Sequence, residues 1–436
     1  MSRNNNMIPE IELKSSQEIT LFQEKKLAHA LEYISKNSPF YKNLFQKNKI
    51  DILKIKQVKE LQHIPPTTKE DLQKHNDDFI CVPRNKIVDF VTTSGTTGKP
   101  VTFALTENDL ERLAYNEATS LYCAGWSPGE VYQLMTTIDR RFLAGLAYFL
   151  GARKLGSGII RVGNGIPELQ WDSINRIKPS ACIGVPSFLL KLIEYADANK
   201  IDYQSCSITK AICIGEIIRN PDFSLNILGE KIKKKWDIEL YSTYASTEMA
   251  TAFTECREQK GGHHHPELII VELLDDYDNA VPDGEEGELT ITTLGVEGMP
   301  LLRFKTGDIC KKHHEPCKCG RNTIRLSPIL GRKKQMIKYK GTTIYPPALY
   351  DVLNEIEGIK GYVVEVNTSE LETDEILIYI SCLNVSEAFE KEIKDHFRAK
   401  LRVSPSIKFC SADELVKKQN AESNHKTINF IDNRNK

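Results

Sequence analysis

Residues 92–100 have the composition of a phosphate-binding loop. They read Thr-Thr-Ser-Gly-Thr-Thr-Gly-Lys-Pro and follow the strand-like residues 88–91. Glycines allow a tight turn that brings backbone N–H groups near an anion, and hydroxyls and a lysine add donors for phosphate oxygens. The spacing is not that of a Walker A loop, because two residues rather than four separate the glycines before the lysine. The alternative is a surface turn rich in Ser, Thr and Gly. The candidate ligands are Ser94, Gly95, Thr96, Thr97, Gly98 and Lys99.

Two further segments place a carboxylate after small or hydroxyl residues. Residues 244–248 read Tyr-Ala-Ser-Thr-Glu, and residues 304–308 read Phe-Lys-Thr-Gly-Asp. A carboxylate such as Glu248 suits a hard cation that bridges phosphates. Each segment alone also has an ordinary interpretation, a helix N-terminus for the first and a turn for the second.

Cysteine and histidine side chains form a third group. Cys256 and His263 have six residues between them, and Cys317 and Cys319 follow later in the chain. Thiolates and an imidazole make a tetrahedral Zn²⁺ set that is closed and therefore structural. His264 or His265 is an alternative to His263 as a ligand. The alternative to a metal site is a set of buried free thiols beside a polar histidine loop.

Together these segments resemble those of the adenylate-forming superfamily of acyl-CoA synthetases, adenylation domains and luciferases, and within it the phenylacetate–CoA ligase family. The superfamily loop Ser-Gly-Thr-Thr-Gly-x-Pro matches residues 94–100. Tyr-Gly-x-Thr/Ser-Glu matches residues 244–248, with Ala245 in place of the glycine, and aromatic-x-Thr-Gly-Asp matches residues 304–308. The resemblance extends from about residue 38 to the C-terminus. It implies an ATP-dependent acid–thiol ligase that forms an acyl-adenylate, releases pyrophosphate and transfers the acyl group to coenzyme A, which gives acyl-CoA and AMP.

The resemblance also implies roles for individual residues. Thr247 would contact the α-phosphate, Glu248 would hold Mg²⁺, and Asp308 would accept hydrogen bonds from the ribose hydroxyls. Some relatives carry Cys and His segments comparable with residues 255–263 and 316–321, which supports the zinc set. The remaining nucleotide-binding residues would be Gly215, Glu216, Tyr244, Ala245, Ser246 and Arg332.

The C-terminal part of the chain resembles the mobile part of the family. Residues 426–434 match the ending Lys-x-x-x-x-Ile-Asp-Asn-Arg, so Lys426 would approach the carboxylate and the α-phosphate during adenylation. His425 replaces the glycine that usually precedes this lysine, and Lys417 or Lys418 is a fallback. A hinge would pivot at Lys334, and the loop that begins at Lys338 would face the thiol.

The class of the carboxylic acid substrate is indicated only by apolar side chains. By the resemblance, an acyl pocket would be lined by Phe142, Tyr148, Phe188, Ile214 and Tyr244, which favours an aryl or arylacetic acid. Arg140 and Arg141 would either pair with a distal polar group of the acid or lie exposed. Two other functions stay open, transfer to the phosphopantetheine of a carrier protein and a degenerate adenylate-binding protein. A nucleic-acid ligase is excluded because its Lys-x-Asp-Gly motif is absent.

Composition narrows the class of protein. The 436 residues carry 58 Lys and Arg against 59 Asp and Glu, a formal net charge of −1, so nucleic-acid binding is not indicated. We find no signal-peptide core and no apolar stretch of about 18 residues, which predicts no membrane contact. Eleven cysteines without an export signal predict reduced thiols or metal ligands in a cytoplasmic protein. Family precedent suggests a homodimer.

The pattern of helices and strands that must position these residues predicts an α/β protein with two domains. The first, residues 1–331, would be the adenylation domain, and the second, residues 332–436, would be a mobile domain. Between about residues 88 and 250, β-rich runs alternate with helical runs, which predicts βαβ units and a largely parallel sheet. Residues 268–308 predict a β-rich subdomain. A helix that begins near Pro346, strands at 362–366 and 376–381, and a helix capped by Ser386 predict a small α+β domain.

Overall fold

The computed structural model describes residues 7–93, 101–339, 342–368, 374–420 and 428–434. These residues form two compact units. The first comprises the residues up to Leu225, Gly229–Thr306 and Cys310–Pro328, and the second comprises Asn226–Leu228, Gly307–Ile309 and the residues from Ile329 onward. Each unit mixes helices and strands, so the predicted α/β class is confirmed. The boundary of the mobile domain at residues 331 and 332 stays a prediction.

The described residues contain eleven α-helices. They are α1 (Ser16–Asn37), α2 (Pro39–Lys47), α3 (Lys69–Lys74), α4 (Glu107–Cys123), α5 (Leu143–Leu155), α6 (Pro167–Ile177), α7 (Pro186–Asn199), α8 (Ile227–Lys235), α9 (Pro346–Glu355), α10 (Glu387–Leu401) and α11 (Ala412–Asn420). The predicted cap at Ser386 is confirmed, because its side chain accepts a backbone N–H bond at the start of α10, and Thr68 caps α3 in the same way. Within the part of the chain that is described, no helix is long and apolar enough to cross a membrane.

The same ranges contain 21 β-strands. They are β1 (Asp89–Thr92), β2 (Thr102–Leu105), β3 (Val131–Leu134), β4 (Gly158–Arg161), β5 (Ala181–Gly184), β6 (Lys210–Cys213), β7 (Glu239–Ser246), β8 (Thr251–Glu255), β9 (Gly262–His263), β10 (Ile269–Leu274), β11 (Gly287–Thr293), β12 (Phe304–Cys310), β13 (Lys312–His313), β14 (Arg325–Leu326), β15 (Gly331–Arg332), β16 (Ile337–Tyr339), β17 (Thr342–Ile344), β18 (Ile359–Thr368), β19 (Asp374–Cys382), β20 (Ser406–Phe409) and β21 (Phe430–Asp432).

The main sheet of the first unit has the order β13-β14-β9-β8-β7-β6-β5-β3-β4. The five strands from β7 to β4 are parallel, as the alternation of β-rich and helical runs predicts. Beyond β7 the sheet continues antiparallel through β8, β9, β14 and β13. Parallel strands run in one direction, so the residues that follow β3, β5, β6 and β7 share one edge, which is where α/β sheets bind ligands.

Strand β1 does not join the parallel strands. It pairs antiparallel with β2, and Thr92 lies opposite Thr102. A parallel crossover needs a connection of about a dozen residues or more, and the segment between these strands is shorter, so the antiparallel pairing is the one the chain can make. Strands β10 and β11 are also antiparallel, which confirms the predicted β-rich subdomain.

The second unit is built on β18 and β19, a long antiparallel pair. Strand β20 lies parallel to β19, and β21 lies parallel to β18. Leu349 and Val352 of α9 and Ile393 and Phe397 of α10 are buried against this sheet in one core. The predicted small α+β arrangement is therefore confirmed for this part of the chain.

Candidate active site

The shared carboxyl edge of the parallel strands carries two of the predicted nucleotide-binding segments. Cys213 on β6 pairs with Gly184 on β5 and with Ser242 on β7. Gly215 and Tyr244 each lie two residues beyond these register partners. The loop after β6 and the end of β7 therefore project past the same edge of the sheet.

Thr247 and Glu248 lie at the tip of a hairpin formed by β7 and β8. Ser246 is the last residue of β7 and pairs with Thr251, and the Ala250 N–H donates to the Ser246 carbonyl over 3.2 Å. Both Thr247 and Glu248 are half-buried. The alternative interpretation, a helix N-terminus, does not apply, because a turn and a strand follow Glu248.

Ala245, which replaces the usual glycine, sits inside regular strand β7. It pairs with Ala252 of β8 and its side chain is exposed. Ala245 is not among the residues with a positive φ angle, so its backbone is one that any L-residue adopts. The alanine therefore fits this position without strain and without a clash.

The Glu216 carboxylate is bound by a neighbouring loop. Its Oε1 accepts a 2.7 Å hydrogen bond from the Ser187 hydroxyl, and its Oε2 accepts a 2.8 Å bond from the Ser187 N–H in the first turn of α7. Burial is the main cause that raises the pKa of Glu216. Gly215, just before it, is exposed and has a φ of +76°, which glycine adopts without strain. This arrangement joins the loops after β5 and β6 and leaves the Gly215 backbone facing outward.

In the second unit, the predicted ribose residue lies beside the predicted arginine. Asp308 of β12 pairs with Arg332 of β15, and Arg332 Nε donates to Asp308 Oδ1 over 3.1 Å. The Asp308 side chain is 9% exposed and the Arg332 side chain 57% exposed, so the arginine reaches outward from a nearly buried carboxylate.

The hinge segment is tied to the small sheet by Arg434. Its guanidinium donates to the Lys334 carbonyl over 3.0 Å, to the Met336 carbonyl over 2.7 Å and to the Asp374 carboxylate over 2.9 Å. Asp374 also accepts a 2.7 Å bond from the Lys338 N–H, and the Lys338 side chain is exposed. The backbone at the predicted pivot and just after it is thus held within this unit.

Two predicted parts of the site, the phosphate loop and the catalytic lysine, lie outside the described residues. The first comprises Ser94, Gly95, Thr96, Thr97, Gly98 and Lys99, and the second is Lys426 together with His425. Of the two fallback lysines, Lys418 on α11 forms a 3.0 Å ion pair with Glu365.

The predicted zinc ligands come together in the first unit. One donor atom from each of Cys256, His263, Cys317 and Cys319 lies within 4.8 Å of all the others. The Cys256 and Cys317 sulfurs are 3.6 Å apart, and Cys319 Sγ lies 3.5 Å from His263 Nε2. Zinc at about 2.3 Å from two thiolates in a tetrahedron holds them about 3.8 Å apart, so the donor set fits this ion. The other His263 nitrogen lies 3.1 Å from the Thr323 hydroxyl, a partner that would orient the ring.

The three consecutive histidines have separate environments. His264 Nε2 lies 2.5 Å from the Ile269 carbonyl oxygen, and His265 Nδ1 lies 2.5 Å from Glu12 Oε1. Of the three, His263 is therefore the one that faces the cysteines. The choice between these neighbours was open from the sequence and depends on the fold around them.

Sequence reasoning missed a buried ionic network next to the cysteines. Glu12 is fully buried, and its Oε2 accepts a 2.7 Å bond from Arg321 Nε, while Arg321 Nη1 lies 3.7 Å from Cys319 Sγ. Burial opposes a charged carboxylate, yet His265 and Arg321 hold the pKa of Glu12 below its usual value. No local sequence pattern predicts this contact, because Glu12 and Arg321 are 309 residues apart.

The residues expected around the acyl group divide into two sets. Tyr148 and Ile214 are buried in one hydrophobic core, whereas Phe142, Phe188 and Tyr244 are half-buried. Arg140 and Arg141 are exposed in the loop before α5, both with left-handed backbones at φ +61° and +59°.

Comparison with known proteins agrees with this geometry. Residues 20–298 match the family model for AMP-binding enzymes. A phenylacetate-coenzyme A ligase from Thermus thermophilus is 30% identical over 394 residues, which are 88% of this chain and 85% of that protein. The phenylacetate-coenzyme A ligase of Escherichia coli is 28% identical over 375 residues, 83% of this chain and 82% of that protein.

Solved structures share the fold. A crystal structure of 2-hydroxyisobutyryl-CoA ligase in the postadenylation state superposes with a TM-score of 0.85 at 22% identity and covers 100% of this chain and 95% of that one. Because the family model matches more than half of the chain and a relative at 30% identity covers most of it, the chain belongs to the AMP-binding, adenylate-forming enzymes, among the acid–thiol ligases.

Proposed function

We propose that this chain activates an aryl or arylacetic acid, similar to phenylacetate, as its acyl-adenylate and then transfers the acyl group to coenzyme A. The observation that carries the proposal is the position of Thr247 and Glu248, at a hairpin tip that extends from the carboxyl edge of the parallel strands. The names of the Thermus thermophilus and Escherichia coli relatives support the acid and the thiol.

In the first step, a carboxylate oxygen of the acid attacks the α-phosphorus of ATP, and the bond to the pyrophosphate oxygen breaks. Negative charges crowd together here, so the protein contributes mainly position and charge neutralisation. Thr247 would donate to an α-phosphate oxygen, and Glu248 would hold Mg²⁺, which supplies charge neutralisation to the departing pyrophosphate when bound. By the family resemblance, residues 94–99 and Lys426 would supply further positive charge and N–H donors.

In the second step, the thiolate of coenzyme A attacks the carbonyl carbon and AMP leaves with the electrons of the carbon–oxygen bond. Asp308 would hold the ribose through both steps, with Arg332 beside it. The domains at residues 1–331 and 332–436 would alternate about Lys334, so that Lys426 serves adenylation and the segment from Lys338 serves the thiol.

The acyl group would contact aromatic side chains that are not committed to the core. All three are half-buried: Phe142 immediately precedes α5, Phe188 lies in the first turn of α7, and Tyr244 lies near the end of β7. Flat apolar side chains stabilise an aromatic acid by burial and ring contacts, which supports the aryl or arylacetic class.

A structural Zn²⁺ bound by Cys256, His263, Cys317 and Cys319 is part of the same proposal. Three thiols and one imidazole leave no open position for a substrate in a tetrahedral site, so the ion would hold β8, β9 and the loop before β14 together. It would contribute to folding and not to the reaction.

The proposal also includes a cytoplasmic location and a homodimeric state. All eleven cysteines lie in the described residues, and none of them forms a disulfide there, which supports a reducing compartment. The dimer rests on family precedent, and light scattering of the purified protein tests it.

The direct test measures pyrophosphate release from ATP and Mg²⁺ with a panel of aryl, arylacetic and short fatty acids, each with and without coenzyme A. We expect release that depends on an aryl or arylacetic acid, rises with coenzyme A and yields a thioester. Glu248→Gln should lower kcat/KM about 100-fold and raise the Mg²⁺ requirement, whereas Glu285→Gln, in an exposed turn, should change neither.

The other outcomes separate the alternatives. Acid-dependent release without a coenzyme A thioester would point to a carrier protein as the acceptor. ATP binding without release for any acid would contradict the enzyme and favour a nucleotide-binding protein.

A further inference from the structure

One buried face of α4 carries polar side chains rather than apolar ones. Positions three or four residues apart lie on one face of a helix. Five such positions carry polar groups or a thiol and are nearly inaccessible: Asp109, Arg112, Asn116, Ser120 and Cys123. Each polar group on a buried helix face needs a hydrogen-bond partner, so the partners show which part of the structure this face holds in place.

Several of those partners lie on β8, the strand that follows the Glu248 turn. Asn116 Oδ1 accepts a 3.1 Å bond from the Ala252 N–H, and the Cys123 thiol lies 3.6 Å from the Thr254 carbonyl oxygen. Helix α4 thus fixes β8 along its length through side-chain bonds to the strand backbone.

Arg112 holds the start of this strand. Its guanidinium donates to the Ala250 carbonyl over 2.6 Å, the Thr251 hydroxyl over 3.1 Å, the Leu294 carbonyl over 2.8 Å and the Leu268 carbonyl over 2.6 Å. All four acceptors are neutral oxygens. Burial lowers the pKa of Arg112 to about 10, so it stays charged at neutral pH. A buried cation held by backbone carbonyls fixes the geometry of those carbonyls more than it contributes net stability.

The Ala250 backbone is in a conformation that alanine adopts at a cost. Its φ is +46°, in the left-handed region, where a residue with a Cβ is strained by about 1 kcal/mol or more. Ala250 closes the turn that contains Thr247 and Glu248, and its carbonyl is one of the groups held by Arg112. The turn therefore keeps its shape because a side chain from another element holds it.

We propose that Arg112 is a positioning residue for the nucleotide: by holding the Ala250 carbonyl, it sets the left-handed turn that presents Thr247 and Glu248 to the phosphates of Mg·ATP. This inference rests on the proposed function. Arg112 does not touch the nucleotide and acts through the backbone of the turn. Glycine at position 250 would adopt the same φ without strain, so it should reduce the need for Arg112.

The experiment measures the Kd of Mg·ATP by calorimetry, with the thermal midpoint, for the full chain and four variants. We expect Arg112→Lys, which keeps the charge but cannot make four directed bonds, to weaken binding about tenfold. Ala250→Gly alone should stay within about twofold of the wild type, and Arg112→Lys with Ala250→Gly should recover most of the loss.

Arg219→Lys is the matched control. Arg219 is also buried, and it bonds the Leu240 carbonyl and Glu255 at the opposite end of the same hairpin. The Arg219→Lys variant should lose thermal stability without weaker binding of Mg·ATP. If Arg112→Lys does not fold, Thr251→Val replaces it. This variant removes a single hydrogen bond of Arg112 and should still weaken the binding of Mg·ATP about twofold to threefold.

Each contrary result has one meaning. Unchanged Mg·ATP affinity in the folded Arg112→Lys variant, or an equal loss in Arg219→Lys, would overturn the positioning role. A wild type that binds Mg·ATP but releases no pyrophosphate with any acid would overturn the proposed function alone, since the Kd comparison still decides the role of Arg112. A wild type that does not bind Mg·ATP would overturn both.

Discussion

Asp308 and Arg332 face each other across paired strands, and the arginine Nε donates to the aspartate Oδ1 over 3.1 Å. This contact uses Oδ1 of the carboxylate. Arg332 also orients the Asp308 carboxylate, which suits a group that accepts hydrogen bonds from vicinal hydroxyls.

Asp308→Ala should remove the discrimination between ATP and 2′-deoxy-ATP. We expect the wild type to show a KM for 2′-deoxy-ATP about tenfold above that for ATP, because one charge-assisted hydrogen bond is lost. In the variant the two KM values should converge near the higher one. Pyrophosphate release with both nucleotides measures this, and Asp283→Ala in an exposed turn is the control. Full discrimination in Asp308→Ala would argue against the ribose role.

Cys317→Ser should abolish zinc binding and lower stability with little direct effect on chemistry. Structural zinc contributes folding free energy, so the thermal midpoint should fall by several degrees or more. Elemental analysis after chelator-free purification should give about one zinc per wild-type chain and close to none for the variant. Cys206→Ser, outside the cluster, should keep both the metal and the midpoint. Near-zero zinc in the wild type would refute the site.

Glu117 should make stability depend on pH. It is 4% exposed on α4, near His265 and Tyr148, and its Oε1 accepts a 3.1 Å bond from the Asn116 amide. Burial raises the pKa of Glu117 to about 7, above the 4.5 of an exposed glutamate. A raised carboxyl pKa gives stability that is present below about pH 4.5 and is lost as the pH rises through 7.

Urea unfolding at pH 5 and pH 8 tests this. Between pH 5 and pH 8, the free energy of unfolding of the wild type should fall by up to about 3 kcal/mol more than that of Glu117→Gln. Glu111→Gln, exposed on the same helix and paired with Lys154, should follow the wild type. Equal pH dependence in the wild type and Glu117→Gln would show that another group is responsible.

Ala245→Gly should lower stability slightly and leave adenylation unchanged. Glycine inside a strand costs about 0.5–1 kcal/mol relative to alanine, and Ala245 has ordinary strand geometry in β7. Chemical unfolding together with the KM for ATP measures both effects. A lower KM or a faster release of pyrophosphate would mean that the alanine restricts the turn after all.

The sequence alone predicted the parts of this protein that depend on neighbouring residues. The motif at residues 244–248, the capped helix after Ser386 and the βαβ alternation are local patterns of residue type and spacing, and these decide turns, caps and the period of a strand or helix. The four side chains that the sequence grouped as possible zinc ligands also lie together in the fold, since cysteine and histidine spacing is informative by itself.

Contacts between distant segments were decided by the tertiary structure. The ion pair of Glu12 with Arg321, the hydrogen bonds of Glu216 to Ser187, and the choice of His263 from three adjacent histidines have no local signal. The same holds for Arg112, whose charge at a helical position predicts a solvent-exposed side chain. Burying a charge or a polar group is costly unless partners meet it, and those partners come from elements that packing brings together after the local structure has formed.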